Sequence, residues 1–235
     1  MAITEGAVIV VNGGTGSSAT YTSSSFDSTG GGGILYFLVH EGASTTYTWS
    51  DNKSTAGANF VLLATINGTV GAGSGDISLT GIFVHNPTVG TGHTLTCTLG
   101  AARPFRFGGG VVLNGTFSST FLSATVQSAQ NGTSDLTVDA GSLVTDAAAY
   151  CIQYSANYNA ATATVGSGWT LRSNATAGRH FQIRNEAASG TFDPVHTISD
   201  DGLTWLTIAA AIKETAAAGG GAPRYAGHLI RLMGS

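Results

Sequence analysis

Thirteen carboxylates, six histidines and two cysteines are the side chains in this 235-residue chain suited to acid–base, metal or nucleophilic chemistry. A glycosidase on a β-sandwich brings two carboxylates within a few ångströms of each other, often from one Glu-x-Asp-x-Glu strand. Here the acids are scattered along the chain and no such strand occurs. His40, His85, His93, His180, His196 and His228 form no His-x-His or His-x-x-x-His pair, so no metal site is expected. Asp51 and Asp200–Asp201 offer oxygen ligands of the kind calcium takes, but such acids suit solvated turns better. Serines are plentiful enough for a Ser-His-Asp triad, yet there is no Gly-x-Ser-x-Gly elbow and no βα alternation to carry one. The glycine runs at 14–16 and 30–33 lack the following Gly-Lys-Ser/Thr of a phosphate loop. Cys97 in "LTCTLG" and Cys151 in "AYCIQY" read as buried thiols in strands, although a single bridge between them stays open. No catalytic residue and no cofactor is expected.

One stretch stands out, "ISDDGLTW" from Ile198 to Trp205. It resembles the Asp-box hairpin of sialidases and other propeller proteins, in which Asp-Gly makes the turn and a Trp packs beneath it. Asp201 and Gly202 fit the turn and Trp205 fits the packing. A sialidase would need several copies, an arginine cluster and a Tyr/Glu pair. This chain has a single copy, one residue shorter than usual, so Asp201, Gly202 and Trp205 are read as a structural turn.

Aromatic residues are the better candidates for recognition, because a flat ring beside polar groups is how sandwich proteins hold sugars. Tyr47 and Trp49 fall on one face of one strand, and Tyr154, Tyr158 and Trp169 flank a Gly/Asn/Ala-rich loop region. These five form the candidate ligand-binding set. The competing reading of each is core packing.

The elements that must position them are strands. Short runs rich in β-branched and aromatic residues alternate with Gly, Asn, Asp and Ser clusters, as in an antiparallel sandwich or barrel. "ILYFLVHE" (34–41) and "FVLLATI" (60–66) are continuously apolar, which predicts central strands covered on both faces. "TLTCTL" (94–99) alternates, placing Leu95, Cys97 and Leu99 on one side, and "HFQIRN" sets Phe181 and Ile183 inward. Residues 206–218 contain good helix formers, but the tight turn before them and the alternation of Leu206, Ile208, Ala210 and Ile212 favour a strand over 204–213.

Composition narrows the partners. Charged residues are 9% of the chain, glycines number 34, and hydrophobic residues are 42%, which excludes a disordered tract. The net charge of −4 without a basic patch argues against nucleic acid. No stretch is apolar enough for membrane insertion, and the first residues lack the basic start of a signal peptide.

The order of strands repeats loosely between the halves, with Trp49 in one and Trp169 in the other. The expected organisation is a first β half over 1–113, a second packed with it over 114–213, and a Gly/Ala-rich linker with a terminal strand or arm over 214–235. The fold expected is all-β, an antiparallel, jelly-roll-like sandwich, either two small sandwiches or one larger sandwich of two similar halves.

The succession "TYTWSDNKS", "NPTVGTGHTLTCTL" and "GSGWT…FDPVHTISDDGLTWLTIAAAIK" resembles the β-sandwich structural proteins of tailed bacteriophage virions, over roughly 25–213. That resemblance implies a non-enzymatic virion component of capsid-decoration, head-fibre or tail-associated type, assembled in the host cytoplasm. Its partners would be copies of itself and other virion proteins, the major capsid protein among them. The alternative is an adhesin or lectin-like module binding cell-surface glycan, and the least favoured reading is a glycan-degrading enzyme.

Overall fold

The computed structural model describes residues 3–43, 46–69, 75–132, 135–156, 162–175, 179–199 and 204–215, and within them the chain is strand after strand with no α-helix. Every strand pair is antiparallel. The first half supplies β1 (Thr4–Gly14), β2 (Ser18–Thr22), β3 (Gly33–Glu41), β4 (Tyr47–Asp51), β5 (Phe60–Thr69), β6 (Asp76–His85), β7 (Leu95–Arg103) and β8 (Arg106–Asn114). These form a five-stranded sheet, β1-β8-β3-β6-β5, and a three-stranded sheet, β2-β7-β4. The second half supplies β9 (Gln127–Asn131), β10 (Thr137–Asp139), β11 (Leu143–Thr145), β12 (Ala149–Ala156), β13 (Ala163–Val165), β14 (Thr170–Ala175), β15 (Arg179–Glu186), β16 (Gly190–Phe192), β17 (Val195–Ile198) and β18 (Trp205–Ile212). They form the sheets β14-β15-β12-β18-β9 and β10-β17-β13, with a small pair β11-β16.

Alternation along each strand turns these sheets into layers. Leu35, Phe37 and Val39 of β3 and Leu79 and Phe83 of β6 face Tyr150, Ile152 and Tyr154 of β12 and Leu206, Ile208 and Ile212 of β18 in one continuous core. The other face of the first large sheet, through Ile34, Tyr36, Leu38 and Ile82, packs on Tyr21, Leu95, Cys97 and Leu99 of the small sheet. In the second half, Cys151, Ala209 and Ala211 pack outward on Leu143, and Trp205 packs on Val138 and Ile198. The two large sheets are therefore the inner layers and the small sheets the outer ones. β3, β12 and β18 are covered on both faces, and both sides of each are apolar apart from a few buried polar residues, His40, Gln153, Ser155 and Thr207. Residues 205–212 are strand and not helix, with Leu206, Ile208, Ala210 and Ile212 turned into the central core.

Two expectations need correction. "FVLLATI" is not a central strand: β5 is the edge of its sheet, and Leu62 is 57% exposed. An apolar run shows only that a strand is hydrophobic and does not reveal whether a neighbour lies on each side. Tyr154 is not an exposed platform either. It is fully buried between the two large sheets, stacked on Phe37.

The halves share one wiring. Replacing β1, β8, β3, β6 and β5 by β9, β18, β12, β15 and β14 reproduces the order of the second large sheet, and β2-β7-β4 becomes β10-β17-β13. One irregularity agrees as well, although the register shifts of β1 and β2 have no counterpart in β9 and β10. β5 carries one extra residue, Leu63, between the partners of Ile82 and Gly81, and β14 carries one, Arg172, between the partners of Gln182 and Phe181. Such bulges on edge strands twist the open ladder away from stray pairing. By this register Trp169 matches Phe60, not Trp49 as the order of motifs suggests.

Candidate functional site

A groove opens between β4, the edge of the small sheet, and β5, the edge of the large one. In an eight-strand roll the strands usually divide evenly between two sheets. Here β5 joins the large sheet beside β6, so three strands face five and a strip of the large sheet lies uncovered. The resulting groove encloses about 770 Å³ and is lined by Tyr47, Trp49, Phe60, Leu62, Thr65 and Asn67, with Ile82 at its floor. Tyr47 and Trp49 do lie on one face of β4, both half-buried, with Thr48 and Ser50 pointing away to solvent.

Each ring is held from below. Trp49 meets Tyr36 edge-on, with ring centroids 6.0 Å apart. The Tyr36 hydroxyl donates to that of Tyr21 at 3.1 Å, which donates to the Gly108 carbonyl at 3.3 Å. Burial pushes the Tyr21 phenol up to about 12, so this chain of hydroxyls stays neutral. His40, fully buried, donates from Nδ1 to the Glu41 carbonyl at 3.0 Å, leaving Nε2 to accept from the Tyr47 hydroxyl at 3.1 Å. Burial keeps His40 below its ordinary range, and the neutral ring is the form that accepts this bond. On the opposite wall the Thr65 hydroxyl donates to that of Thr80 at 3.1 Å. The groove offers ring faces bordered by hydroxyl and amide groups, the chemistry of a neutral, hydrogen-bonding ligand.

A Ser-His-Asp arrangement does occur, at positions the sequence gives no reason to associate. The Ser28 hydroxyl lies 2.8 Å from His93 Nδ1, and His93 Nε2 donates to Asp51 Oδ2 at 3.1 Å. All three side chains are fully buried. Ser28 Oγ also accepts from the Gly90 amide at 3.0 Å, and neither this serine nor this histidine lines the groove. Asp51 further accepts the amides of Lys53 and Thr55 at 3.1 and 2.9 Å. Burial alone would raise the Asp51 carboxyl, but the bonds from Thr55 and His93 together hold it below the usual range. Burial lowers His93 against the pull of Asp51. The relay is thus a latch tying the segments before β3, after β4 and before β7. Its geometry is catalytic in outline, but an approaching substrate cannot reach the serine.

The remaining predicted residues are dispersed. Trp169 is 7% exposed and packs among Leu143, Cys151 and Ala209 at the wall of a second cleft. Trp205 is fully buried, stacked on His180 at 5.3 Å. Tyr158, Asp201, Gly202 and, of the 214–235 linker and arm, residues 216–235 lie outside the described residues. Cys97 and Cys151 are both free and buried, one in each half, with thiols raised by burial to about 12. Among the described residues no group of three His, Cys, Asp or Glu is placed to hold a metal ion.

No protein-family model, curated protein or solved structure matches the chain.

Proposed function

We propose that this chain is a non-enzymatic structural protein of a virus particle, of the tailed-phage decoration or surface type, acting through contacts with copies of itself and with other particle proteins. The observation that carries this reading is the edge strand β1. Among the described residues it is the longest strand; it lies at the edge of its sheet, carries two register shifts, and exposes Val8 (39%) and Val10 (67%) on a chain with very little charge. Exposed apolar side chains on an edge strand are a natural contact for a neighbouring subunit. The low charge, poor for a freely diffusing protein, suits one packed into an assembly. The test is the copy number of the chain relative to the major capsid protein in purified particles, by quantitative mass spectrometry. A simple ratio supports lattice decoration, a few copies supports a fibre or tail part, and absence from particles removes the proposal.

A second reading, carbohydrate recognition, is favoured by one observation, the Tyr47–Trp49 groove with its hydroxyl and amide border. A glycan array with the wild type and with Tyr47→Ala tests it. Binding lost in the variant at unchanged melting temperature supports the groove, and no binding by the wild type ends this reading.

A further inference from the structure

The second half has its own cleft, which shares with the first groove the matching positions of β13 with β4 and of Trp169 with Phe60. It lies between β13, the turn that follows it and the β16–β17 connection, and encloses about 480 Å³, within the size range of small-molecule sites. Three of its lining residues have no counterpart in kind in the first groove, Arg184, Asp193 and His196, and they stand beside Ser167, Trp169 and Phe192.

These residues are fixed before any ligand arrives. Arg184 pairs with Glu186, places its guanidinium 4.9 Å over the Phe192 ring and reaches the Ser167 carbonyl at 3.4 Å. Asp193 accepts from the Ser142 hydroxyl, and its carbonyl accepts the Val195 amide at 3.0 Å. His196 lies almost wholly inside, 2% exposed, with Nδ1 3.1 Å from Gln153 Oε1. Since that oxygen only accepts, Nδ1 carries the proton and Nε2 is a bare acceptor. Nε2 is buried and has no partner among the described residues.

We propose that this cleft binds a neutral saccharide. Half-buried Phe192, with the 7% of Trp169 that stays exposed, gives the cleft apolar surface for the C–H face of a sugar ring. Asp193, exposed at the cleft, accepts from hydroxyls. The Arg184 charge is already balanced by Glu186, so an anionic ligand finds no spare cation. A wholly apolar ligand would strand Asp193 without water, a cost that a hydroxylated ligand avoids. The proposal extends the carbohydrate reading to a different cleft and does not depend on the first groove being occupied.

The experiment is saturation-transfer NMR on the full chain with glucose, galactose, mannose and N-acetylglucosamine. Wild type, Asp193→Ala, Asp193→Asn and, as a control in the first groove, Leu62→Ala are compared, with melting temperatures recorded. The expected result is transfer to at least one sugar, weakened roughly tenfold or more by both Asp193 variants and unchanged by Leu62→Ala. Asp193→Asn keeps an acceptor for Ser142, so its effect is not one of misfolding. No transfer to any of the four sugars overturns the proposal, as does binding that survives both Asp193 variants. Binding lost only with Leu62→Ala would overturn it while sustaining the first groove.

Discussion

Phe37 of β3 and Tyr154 of β12 stack face to face at 4.9 Å, nearly parallel, and by strand order and bulge position they are the same residue of the two halves. Each half thus meets its counterpart through one equivalent ring, in the centre of a core both large sheets share.

Removing either ring should have unequal effects. Phe37→Ala leaves a void at the centre and is expected to cost about 3–5 kcal/mol by chemical denaturation. The Tyr154 hydroxyl is buried without a partner among the described residues, so Tyr154→Phe should be neutral or stabilising by up to about 1 kcal/mol. A clear loss for Tyr154→Phe would mean that the hydroxyl is bonded.

Gly81 is opposite Phe37 in the ladder, and a methyl group there would come within 2.7 Å of the phenyl ring. Gly81→Ala should therefore cost roughly 1–3 kcal/mol, from overpacking. In the background of Phe37→Ala the same substitution has room, so a double-mutant cycle should show strong coupling. Additive effects would place the strain elsewhere.

The Ser28–His93–Asp51 latch should behave as a structural element. Ser28→Ala strips the Gly90 amide and His93 Nδ1 of a buried partner and is expected to cost about 1–3 kcal/mol. Hydrolysis of p-nitrophenyl acetate should be identical for wild type and variant. A serine-dependent rate would make the latch a catalytic site.

Acid should weaken the fold through its buried histidines. Burial, reinforced by neighbouring His180, drives His196 from 6.5 down to about 3. The folded state then binds fewer protons than the unfolded state between these values, so stability is full above about 6.5 and falls as pH drops toward 3, flattening below. His40 and His93, both lowered, act in the same direction. His196→Gln should remove part of this slope in denaturation curves recorded across the window. An unchanged slope would mean that His196 is protonated in the fold.

Between the halves, Glu5 and Arg172 form a two-point ion pair at 2.7 and 2.9 Å on the partly exposed rim. Solvent screens such a pair, so Glu5→Gln should cost under about 1 kcal/mol, and less at high salt. A larger loss would mean that the rim, and not the central core, holds the halves together.

By itself the sequence determined what local pattern can encode. Alternation fixed which side of β7 carries Leu95, Cys97 and Leu99, put Tyr47 and Trp49 together on β4, and made residues 205–212 a strand despite their helix-forming alanines. Neighbourhood was decided only in three dimensions. Nothing in "FVLLATI" says that β5 ends a sheet, because periodicity reports hydrophobic faces and is silent about hydrogen-bonded partners. Tyr154 and Tyr47 read alike as aromatic residues in strands, yet one is sealed between two sheets and the other borders a groove. Ser28, Asp51 and His93 meet because three chain segments converge at one end of a sandwich. The Tyr47–Trp49 groove itself follows from an unequal division of strands between sheets, a property of pairing across the whole fold that no short stretch of residues contains.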